Sequence, residues 1–498
     1  MKVLKKLFAA SATALYLSQM LYGQIDSPIK HVVLISIDGF HAFDLRDFIH
    51  SHPHSTLAKL AKNGVIYKNA FSPAPADSFP GLMALVTGGK PGVTGIYYDT
   101  TYDRALSPAG SDCKTKGAIV MYDETVDRQG VSHGQALLNE KLLPRDPRKG
   151  CTPVYPNQYL KVNTIFNVIA EAGGYTAWID KHPVYQIVDG PKGPKVNDLW
   201  TPEIGDNAEG YLAKGSALIT ASIERTEHYD DIKMQGLINE MEGYTHDKRK
   251  KAPVPAIAGM NFQTINVAQK IASYKNAKGV PTKRLEAAFE HCDKEIGKLI
   301  TVLKKKKLLS KTLVVITAKA GNGPVNPKLL QKVDHKKIIK VIEHAAPRSL
   351  AWSVMDRIAL IWLHNTNETN RVVAALQHAK KRLHIARIMH GKELYKYFHV
   401  SKNNNRIPDI IIIPKKGTIY TSNSYKLEEH GGWDKEDRNV ALLVSNNHLK
   451  YKGITIDKRV GTTQVAPTIL YSLGLDPNKL QAVKKEHEKV LPSFEKIR

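Results

Sequence analysis

Cysteine is scarce in this sequence, with three residues in a chain of 498. Cys113, Cys151 and Cys292 do not have the paired spacing of zinc-finger ligands, which excludes that kind of metal site. Cys113 and Cys151 lie in loop-like sequence rich in proline and glycine, whereas Cys292 lies in a helical pattern. We therefore expect a disulfide between Cys113 and Cys151 in an oxidising compartment, and a buried free thiol at Cys292.

Long apolar runs are also absent once the start of the chain is left aside. No later segment has the run of about 18 apolar residues that suggests a membrane-spanning helix. The first residues are basic, with Lys2, Lys5 and Lys6, and a mostly apolar run then extends to Leu21. This pattern is typical of a secretory signal peptide over residues 1–23, and the alternative is an N-terminal membrane anchor. We expect an exported protein, periplasmic or secreted, with no transmembrane domain after signal cleavage.

Acidic residues are few relative to basic ones, since 47 Asp and Glu against 72 Lys and Arg give a net charge of +25. A basic protein favours anionic partners such as phosphate esters, nucleic acids or membrane surfaces. No aromatic residues interleave the basic runs at 248–251 and 304–307, which argues against a single-stranded nucleic-acid platform. The alternative is an ordinary solvated surface, and we expect no specific nucleic-acid binding.

Strand and helix patterns alternate along the whole sequence. HVVLISIDGF (31–40) is a short apolar run with β-branched residues that ends in Asp-Gly, which indicates a buried strand. SFPGLMALVTG (78–88) predicts a helix that opens directly at a serine. Further strands of a mostly central sheet are predicted for TLVVI, RIALIWLH, DIIIIP and NVALLVSN. The alternation predicts an α/β fold with a doubly wound sheet.

The sequence contains neither an internal repeat nor a long linker. We therefore predict one domain over residues 24–498. Its least regular stretches, at about 99–160 and 181–255, are expected to be insertions near the substrate side.

Three residues are candidates for a site beyond the carboxyl ends of the strands, where ligands bind in such sheets. Asp38 ends the first strand and is either a metal ligand or a helix cap. Ser78 starts a helix, where free backbone N–H groups favour an anion, and is either a nucleophile or only an N-cap. His430 stands before two glycines in EEHGGW and is either a ligand or a structural histidine.

The ordered motifs resemble a known family. The motifs are ISIDGF, the SFPG segment followed by LVTGGKPGVTGIYYD, the helix leading into LVVITAK, and EHGGWDKEDRNVALLVSN. In this order they are similar to the type I phosphodiesterase/nucleotide pyrophosphatase family of the alkaline phosphatase superfamily. The resemblance extends from about His31 to Pro477 and is strongest to the bacterial and fungal branch with a serine nucleophile. It implies an alkaline-phosphatase-like central sheet flanked by helices, with loop-rich insertions.

The resemblance implies phosphoryl transfer with paired divalent cations, typically Zn²⁺, about 4 Å apart. Ser78 would be the nucleophile and would form a covalent phospho-enzyme that water then releases. Asp38 and the Ser78 hydroxyl would ligate one metal, and His430 would ligate the other. The family asparagine that helps to bind phosphate falls at Gly81.

The sequence departs from this family at the metal ligands. Where family members carry Asp-His-Gly, or Lys-His-Gly in the closer branch, this chain has Lys319-Ala320-Gly321 in TAKAGNG. A second ligand pair, an Asp with a His four residues later, is expected before the long helix, but SYKNAKGVPTK contains neither type. Of the implied ligands besides the nucleophile, Asp38 and His430 are present.

Three hypotheses follow, of which the first is favoured. In the first, the protein is a hydrolase of phosphate esters in which Lys319 supplies positive charge. In the second, a divalent cation is held by residues outside the motifs, with His182, Asp77 and Asp434 as candidates; His182 also lies in a loop expected over the substrate. In the third, a pseudoenzyme binds an anionic ligand or an envelope partner. The sequence leaves the ester class open.

Overall fold

Two sheets organise the structure, a computed structural model that describes residues 27–129, 136–202 and 219–494. The predicted signal peptide at 1–23 lies outside these ranges. In chain order the strands of both sheets are β1 His31–Ile37, β2 Gly64–Tyr67, β3 Ala177–Ile179, β4 Asp198–Trp200, β5 Ile257–Phe262, β6 Thr312–Thr317, β7 Leu350–Met355, β8 Ala359–Leu363, β9 Ile385–His390, β10 Ile410–Pro414, β11 Leu442–Ser445 and β12 Ile454–Ile456.

The main sheet has eight strands in the order β4-β3-β5-β1-β6-β11-β2-β12. Neighbouring strands are parallel except that β11 is antiparallel to both β6 and β2. Within β1, Val32 and Leu34 pack into one core, and Val33 and Ile35 pack into another on the opposite face. A strand buried on both faces reads as a continuous apolar run, which explains the pattern HVVLISI.

Helices cover both faces of the main sheet. Among the described residues, the α-helices of six or more residues are α1 Ala42–Ser51, α2 Thr56–Lys62, α3 Ser78–Thr87, α4 Ile165–Glu171, α5 Ile223–Met241, α6 Thr264–Ile271, α7 Lys283–Lys305, α8 Lys336–Ala345, α9 Thr369–His378, α10 Lys392–Phe398, α11 Val465–Ser472 and α12 Gln481–Glu486. Buried residues of α3, α4 and α11 join one core, and those of α1, α5, α6 and α7 join the other. This arrangement is the doubly wound α/β architecture.

A second sheet accompanies the central sheet. Its order is β7-β8-β10-β9, and all of its neighbours are antiparallel. It contains the runs RIALIWLH and DIIIIP, whose alternate residues are buried in two further cores. The sequence predicted both runs as strands but not which sheet they join, because an apolar run that is buried on both faces does not identify its pairing partner.

The two stretches predicted as insertions differ in character. The described part of 99–160, which excludes residues 130–135, forms small hairpins that include Thr100–Asp103 with Ala118–Met121, and a disulfide joins Cys113 to Cys151. The stretch 181–255 contributes β4 to the main sheet and α5 to its cover, although residues 203–218 lie outside the described ranges. Within the described ranges, no helix combines the length and apolar character needed to cross a bilayer.

Candidate functional site

A cavity of about 450 Å³ lies at the edge of the main sheet where its parallel strands end. Its wall includes one residue within three positions after each of β1, β3, β5 and β6, namely Asp38, Lys181, Gln263 and Ala320. Since the carboxyl ends of parallel strands meet at one edge, four distant segments converge there. This edge is the position at which an open α/β sheet binds its ligands.

Five of the residues selected from the sequence line this cavity. Asp38, Ser78, His182 and His430 contribute to its wall. Lys319 lies behind the wall and is fully buried. Of the alternative metal ligands, Asp77 also lines the cavity, whereas Asp434 lies at the start of a short helix.

Ser78 is the first residue of α3, and its neighbours explain why the helix begins there. Asp77 has extended backbone angles, and its side chain accepts a hydrogen bond from the Phe79 N–H at 2.8 Å. This cap satisfies one of the free N–H groups of the first turn. Ser78 therefore stands at the positive end of a ten-residue helix, in the wall of the cavity.

Gly81 is a packing residue in α3 and is not among the residues that line the cavity. A β-carbon at this position would lie 2.1 Å from the carbonyl oxygen of Lys319 and 2.6 Å from its carbonyl carbon. Glycine therefore allows α3 to approach the backbone that follows β6. The structure does not bring Gly81 into the place where a phosphate-binding residue was expected.

Asp38 forms an ion pair with Lys181, which the sequence analysis did not select. The Lys181 Nζ lies 2.7 Å from Asp38 Oδ2, and the Asn261 amide donates to the same oxygen at 3.1 Å. Although burial favours a neutral acid, Lys181 and Lys319 hold the pKa of Asp38 well below its usual range. Burial opposes the charge of Lys181 too, but Asp38 raises its pKa. Both groups are therefore charged at neutral pH.

Lys319 forms a second ion pair, with Asp180, in the layer behind the wall. Its Nζ lies 3.1 Å from each carboxylate oxygen of Asp180 and 4.3 Å from the centre of the Tyr185 ring. Burial lowers the pKa of Lys319, and Asp180 opposes this shift. Asp180 and Lys181 directly follow β3, so the rule that selected Asp38 at the end of β1 could have selected them.

His430 lies among acidic and basic side chains. Its Nε2 is 3.4 Å from Glu429 Oε1, and its Nδ1 is 3.7 Å from Asp77 Oδ1, too far for a hydrogen bond. Burial lowers the pKa of His430 to about 4, and Lys270 and Lys426 lower it further against the opposing charge of Glu429. His430 is therefore neutral at pH 7.

Lys270 and Lys426 share the carboxylate of Glu429. The Lys270 Nζ lies 2.7 Å from one oxygen, and Lys426 bonds to the other. Both lysines line the cavity. The group thus carries two positive charges against one negative charge, which favours an anion in this part of the cavity.

His182 lines the cavity, and both of its ring nitrogens face acidic side chains. Its Nδ1 lies 3.1 Å from Asp127 Oδ2, and its Nε2 lies 3.7 Å from Glu124 Oε1. Although burial disfavours the charged ring, Asp127 raises the pKa of His182. His182 therefore has its ring nitrogens directed at carboxylates of its own chain.

A buried network around His41 holds the loop that follows β6. The His41 ring bonds to Asp44 Oδ2 at 2.8 Å through Nδ1 and to the Asn322 carbonyl at 2.8 Å through Nε2. The Asn322 amide donates to Gln269 Oε1 at 2.8 Å, and the Tyr274 hydroxyl donates to Asp44 at 2.8 Å. Because Asn322 lines the cavity, this network fixes one part of its wall.

The charge of His41 predicts a pH dependence of stability. Although burial disfavours the charged ring, the Asp44 carboxylate raises the pKa of His41 from 6.5 to about 9. This stabilisation is complete below pH 6.5 and is lost as the pH rises through about 9. We expect the free energy of unfolding, measured by urea denaturation, to fall by about 3 kcal/mol over this range.

His31 provides the control for this prediction, because burial lowers its pKa and places its titration below the same window. His41→Gln should abolish the loss of stability at alkaline pH, whereas His31→Gln should retain it. An undiminished alkaline loss in His41→Gln would contradict the assignment.

Residues 32–435 match the sequence model of the type I phosphodiesterase/nucleotide pyrophosphatase family. The chain belongs to this family. No curated protein matches the sequence.

Solved structures of the alkaline phosphatase superfamily share the fold. Murine ectonucleotide pyrophosphatase/phosphodiesterase 5, as an inactive threonine-to-alanine variant in complex with AMP, aligns with a TM-score of 0.58 and 14% identity, over 90% of this chain and 96% of that chain. The human protein aligns with a TM-score of 0.54 and 17% identity, over 89% and 95%. A quadruple mutant of the alkaline phosphatase PafA aligns with a TM-score of 0.62 and 14% identity, over 90% and 96%.

Members of this phosphodiesterase family typically use divalent cations, but the residues of this cavity do not fit such ions. Asp38 is bound to an ammonium group, and Ala320 has no donor atom. In the described part of the chain, two groups of three acidic or histidine side chains are close enough to share an ion. They are His52 with Glu286 and Glu290, and Asp231 with His291 and Glu295. Neither group lines the cavity.

A second candidate position for the family ligand pair directly follows β5. Residues 273–283 are not part of the cavity wall, whereas Gln263 and Val267, which have the same spacing of four residues, line it directly after β5. The valine side chain has no donor atom, and a neutral glutamine amide is a poorer ligand than a carboxylate. This position therefore also lacks the ligands of a two-metal site.

Proposed function

We propose that the protein binds a phosphate ester in this cavity without hydrolysing it by the two-metal route. The observation that carries the proposal is the contact of 2.7 Å between Lys181 and Asp38, which gives the family's metal-ligating carboxylate an ammonium partner. The opposite charges of Asp38 and Lys181 cancel, and the pair is largely buried. A divalent cation would therefore have to displace the Lys181 ammonium from the Asp38 carboxylate. The protein would act as a catalytically impaired member of the family, in agreement with the pseudoenzyme hypothesis.

Several groups support an anionic ligand. Ser78 offers a hydroxyl at the positive end of α3. Lys270 and Lys426 together carry one more positive charge than Glu429 compensates. A phosphate group that contacts these lysines and the start of α3 would be held by charge-assisted hydrogen bonds. The AMP bound to the murine relative makes a nucleotide monophosphate a suitable probe.

The binding proposal is tested by isothermal titration of AMP against the purified protein in EDTA and in zinc. We expect the dissociation constant to be the same in both buffers. Lys181→Met should weaken binding by about tenfold, because it leaves the Asp38 charge unneutralised next to the phosphate. The exposed Lys59→Met is the matched control and should bind as the parent does. Binding that requires zinc would contradict the proposal.

A hydrolase is the second candidate, supported by the position of Ser78 in the cavity wall. In this alternative the Ser78 oxygen attacks phosphorus and displaces the alcohol of the ester, which leaves with the serine proton, and water then releases the phosphate from Ser78. Lys181 stabilises charge on the phosphoryl oxygens from the wall, and Lys319 adds positive charge from behind it. Asp38, Ser78 and His430 are the residues that would contact a metal. Export, proposed from residues 1–23, would place either activity in the periplasm or the medium.

Turnover separates the two candidates. We expect bis-p-nitrophenyl phosphate and AMP to be hydrolysed no faster by the parent protein than by Ser78→Ala, with or without zinc. A rate that depends on Ser78 would establish the hydrolase. An unchanged midpoint of urea denaturation serves as the check that Ser78→Ala is folded.

A further inference from the structure

We propose that the phosphate ester bound here carries a cationic amine group, which an acidic wall of the same cavity recognises. The acidic wall consists of Asp77, Asp99, Asp123 and Glu124, all of which line the cavity. This inference rests on the proposed function, because the phosphate is assigned to the lysines of the same site.

The acidic wall is built by two short segments. Asp99 precedes the hairpin of Thr100–Asp103 and Ala118–Met121, and the Tyr122 N–H donates to the Asp99 carbonyl at 2.8 Å where the hairpin ends. Asp123 and Glu124 follow directly, so the two ends of the hairpin bring their carboxyl groups together. The hairpin therefore presents acids at the cavity, in contrast to Lys181 after β3 and Lys270 in the last turn of α6.

Buried polar atoms in this region are without partners. Asp77 Oδ1, Asp99 Oδ1 and Tyr122 Oη are buried and make no hydrogen bond within the described part of the chain. Asp77 is 0% exposed, and Tyr122 is 1% exposed. A buried polar atom without a partner is costly, so these atoms indicate a ligand that offers them hydrogen-bond donors. The unpartnered Tyr122 hydroxyl is not an acid, so it is independent evidence for a ligand in the same part of the cavity.

The charges of the wall indicate that this donor is positive. Burial and the neighbouring carboxylates, Asp77 first, raise the pKa of Asp99 well above its usual range. Glu124 faces His182, but no ion pair in the described part of the chain involves Asp99 or Asp123. A ligand ammonium would supply the missing counter-charge. A second phosphate or carboxylate in this place would be repelled.

The two kinds of wall together define the ligand as a zwitterion. Lys181, Lys270 and Lys426 offer positive charge to the phosphate, and Asp77 and Asp99 offer acceptors to an amine. The volume of about 450 Å³ is within the range of small-molecule sites and suits an ester of a short amino alcohol. Arrangements of this kind distinguish such an ester from one with an uncharged alkyl group.

The test compares three probes by isothermal titration at pH 7.5 in EDTA: 2-aminoethyl phosphate, ethyl phosphate and ethylamine. We expect 2-aminoethyl phosphate to bind about tenfold more tightly than ethyl phosphate, and ethylamine alone to bind most weakly. Asp99→Asn keeps the shape of the side chain. It should bind 2-aminoethyl phosphate and ethyl phosphate with about equal affinity, and its affinity for ethyl phosphate should be that of the parent protein. Asp112→Asn, at an exposed position, is the matched control.

The outcomes separate this inference from the proposed function. Equal binding of 2-aminoethyl phosphate and ethyl phosphate would overturn the amine subsite and leave the phosphate site standing. Binding of neither phosphate nor AMP would overturn the proposed function itself. If Asp99→Asn does not fold, Asp123→Asn replaces it in the same comparison. The three probes on the parent protein then test the amine subsite together with that variant.

Discussion

Replacing Lys319 with methionine is expected to lower the free energy of unfolding by about 4 kcal/mol. Methionine fills a similar volume, but it leaves the Asp180 carboxylate in the interior without the ammonium that contacts both of its oxygens at 3.1 Å. Lys319 and Asp180 are both 0% exposed, so water cannot replace the lost partner. Urea denaturation followed by tryptophan fluorescence measures the effect.

Two variants control this experiment. The double variant Lys319→Met with Asp180→Asn should recover much of the loss, because it removes the unpaired charge. Lys68→Met breaks an exposed pair with Asp457 and should cost less than about 1 kcal/mol. A loss in Lys319→Met as small as that in Lys68→Met would mean that the buried pair is not charged as described.

Gly81→Ala is expected to destabilise the protein by about 3 kcal/mol, because the new methyl group would overlap the Lys319 carbonyl. The obstacle is backbone, so relief requires α3 and the loop after β6 to separate. The same movement carries the Lys319 ammonium away from Asp180. We therefore expect weaker AMP binding as well as a lower midpoint of urea denaturation.

Gly110→Ala separates crowding from backbone strain. Gly110 has a φ of +70° but no atom within 4 Å of an added β-carbon. Its substitution should cost about 1 kcal/mol and leave AMP binding intact. If Gly81→Ala were no more harmful than Gly110→Ala, the close approach of α3 to β6 would be refuted.

Local pattern was sufficient for much of the fold. The apolar run of β1 and the serine at the start of α3 predicted those elements, and the alternation predicted the α/β class. Pattern did not separate β8 and β10 from the central sheet, because strands buried on both faces have the same composition in either sheet. Their pairing depends on contacts with distant segments, which periodicity does not encode.

The site was predictable where a motif or a strand end identified it. Asp38, Ser78 and His430 were selected in this way, and they line one cavity. Lys181 was missed because its significance lies in its contact with Asp38, which is 143 positions away in the sequence (181 minus 38). The unpartnered atoms of Asp99 and Tyr122 could not be inferred either, since the absence of a partner is a property of the folded chain.

The two buried lysine pairs change what the protein needs from its surroundings. A metal site is filled after synthesis and stays filled only while the free ion is plentiful, so chelators or zinc shortage can empty it. The ammonium groups of Lys181 and Lys319 are synthesised with the chain and reach their carboxylates when it folds. The cavity should therefore be able to bind its ligand in zinc-poor surroundings, where metal-dependent relatives would be inactive.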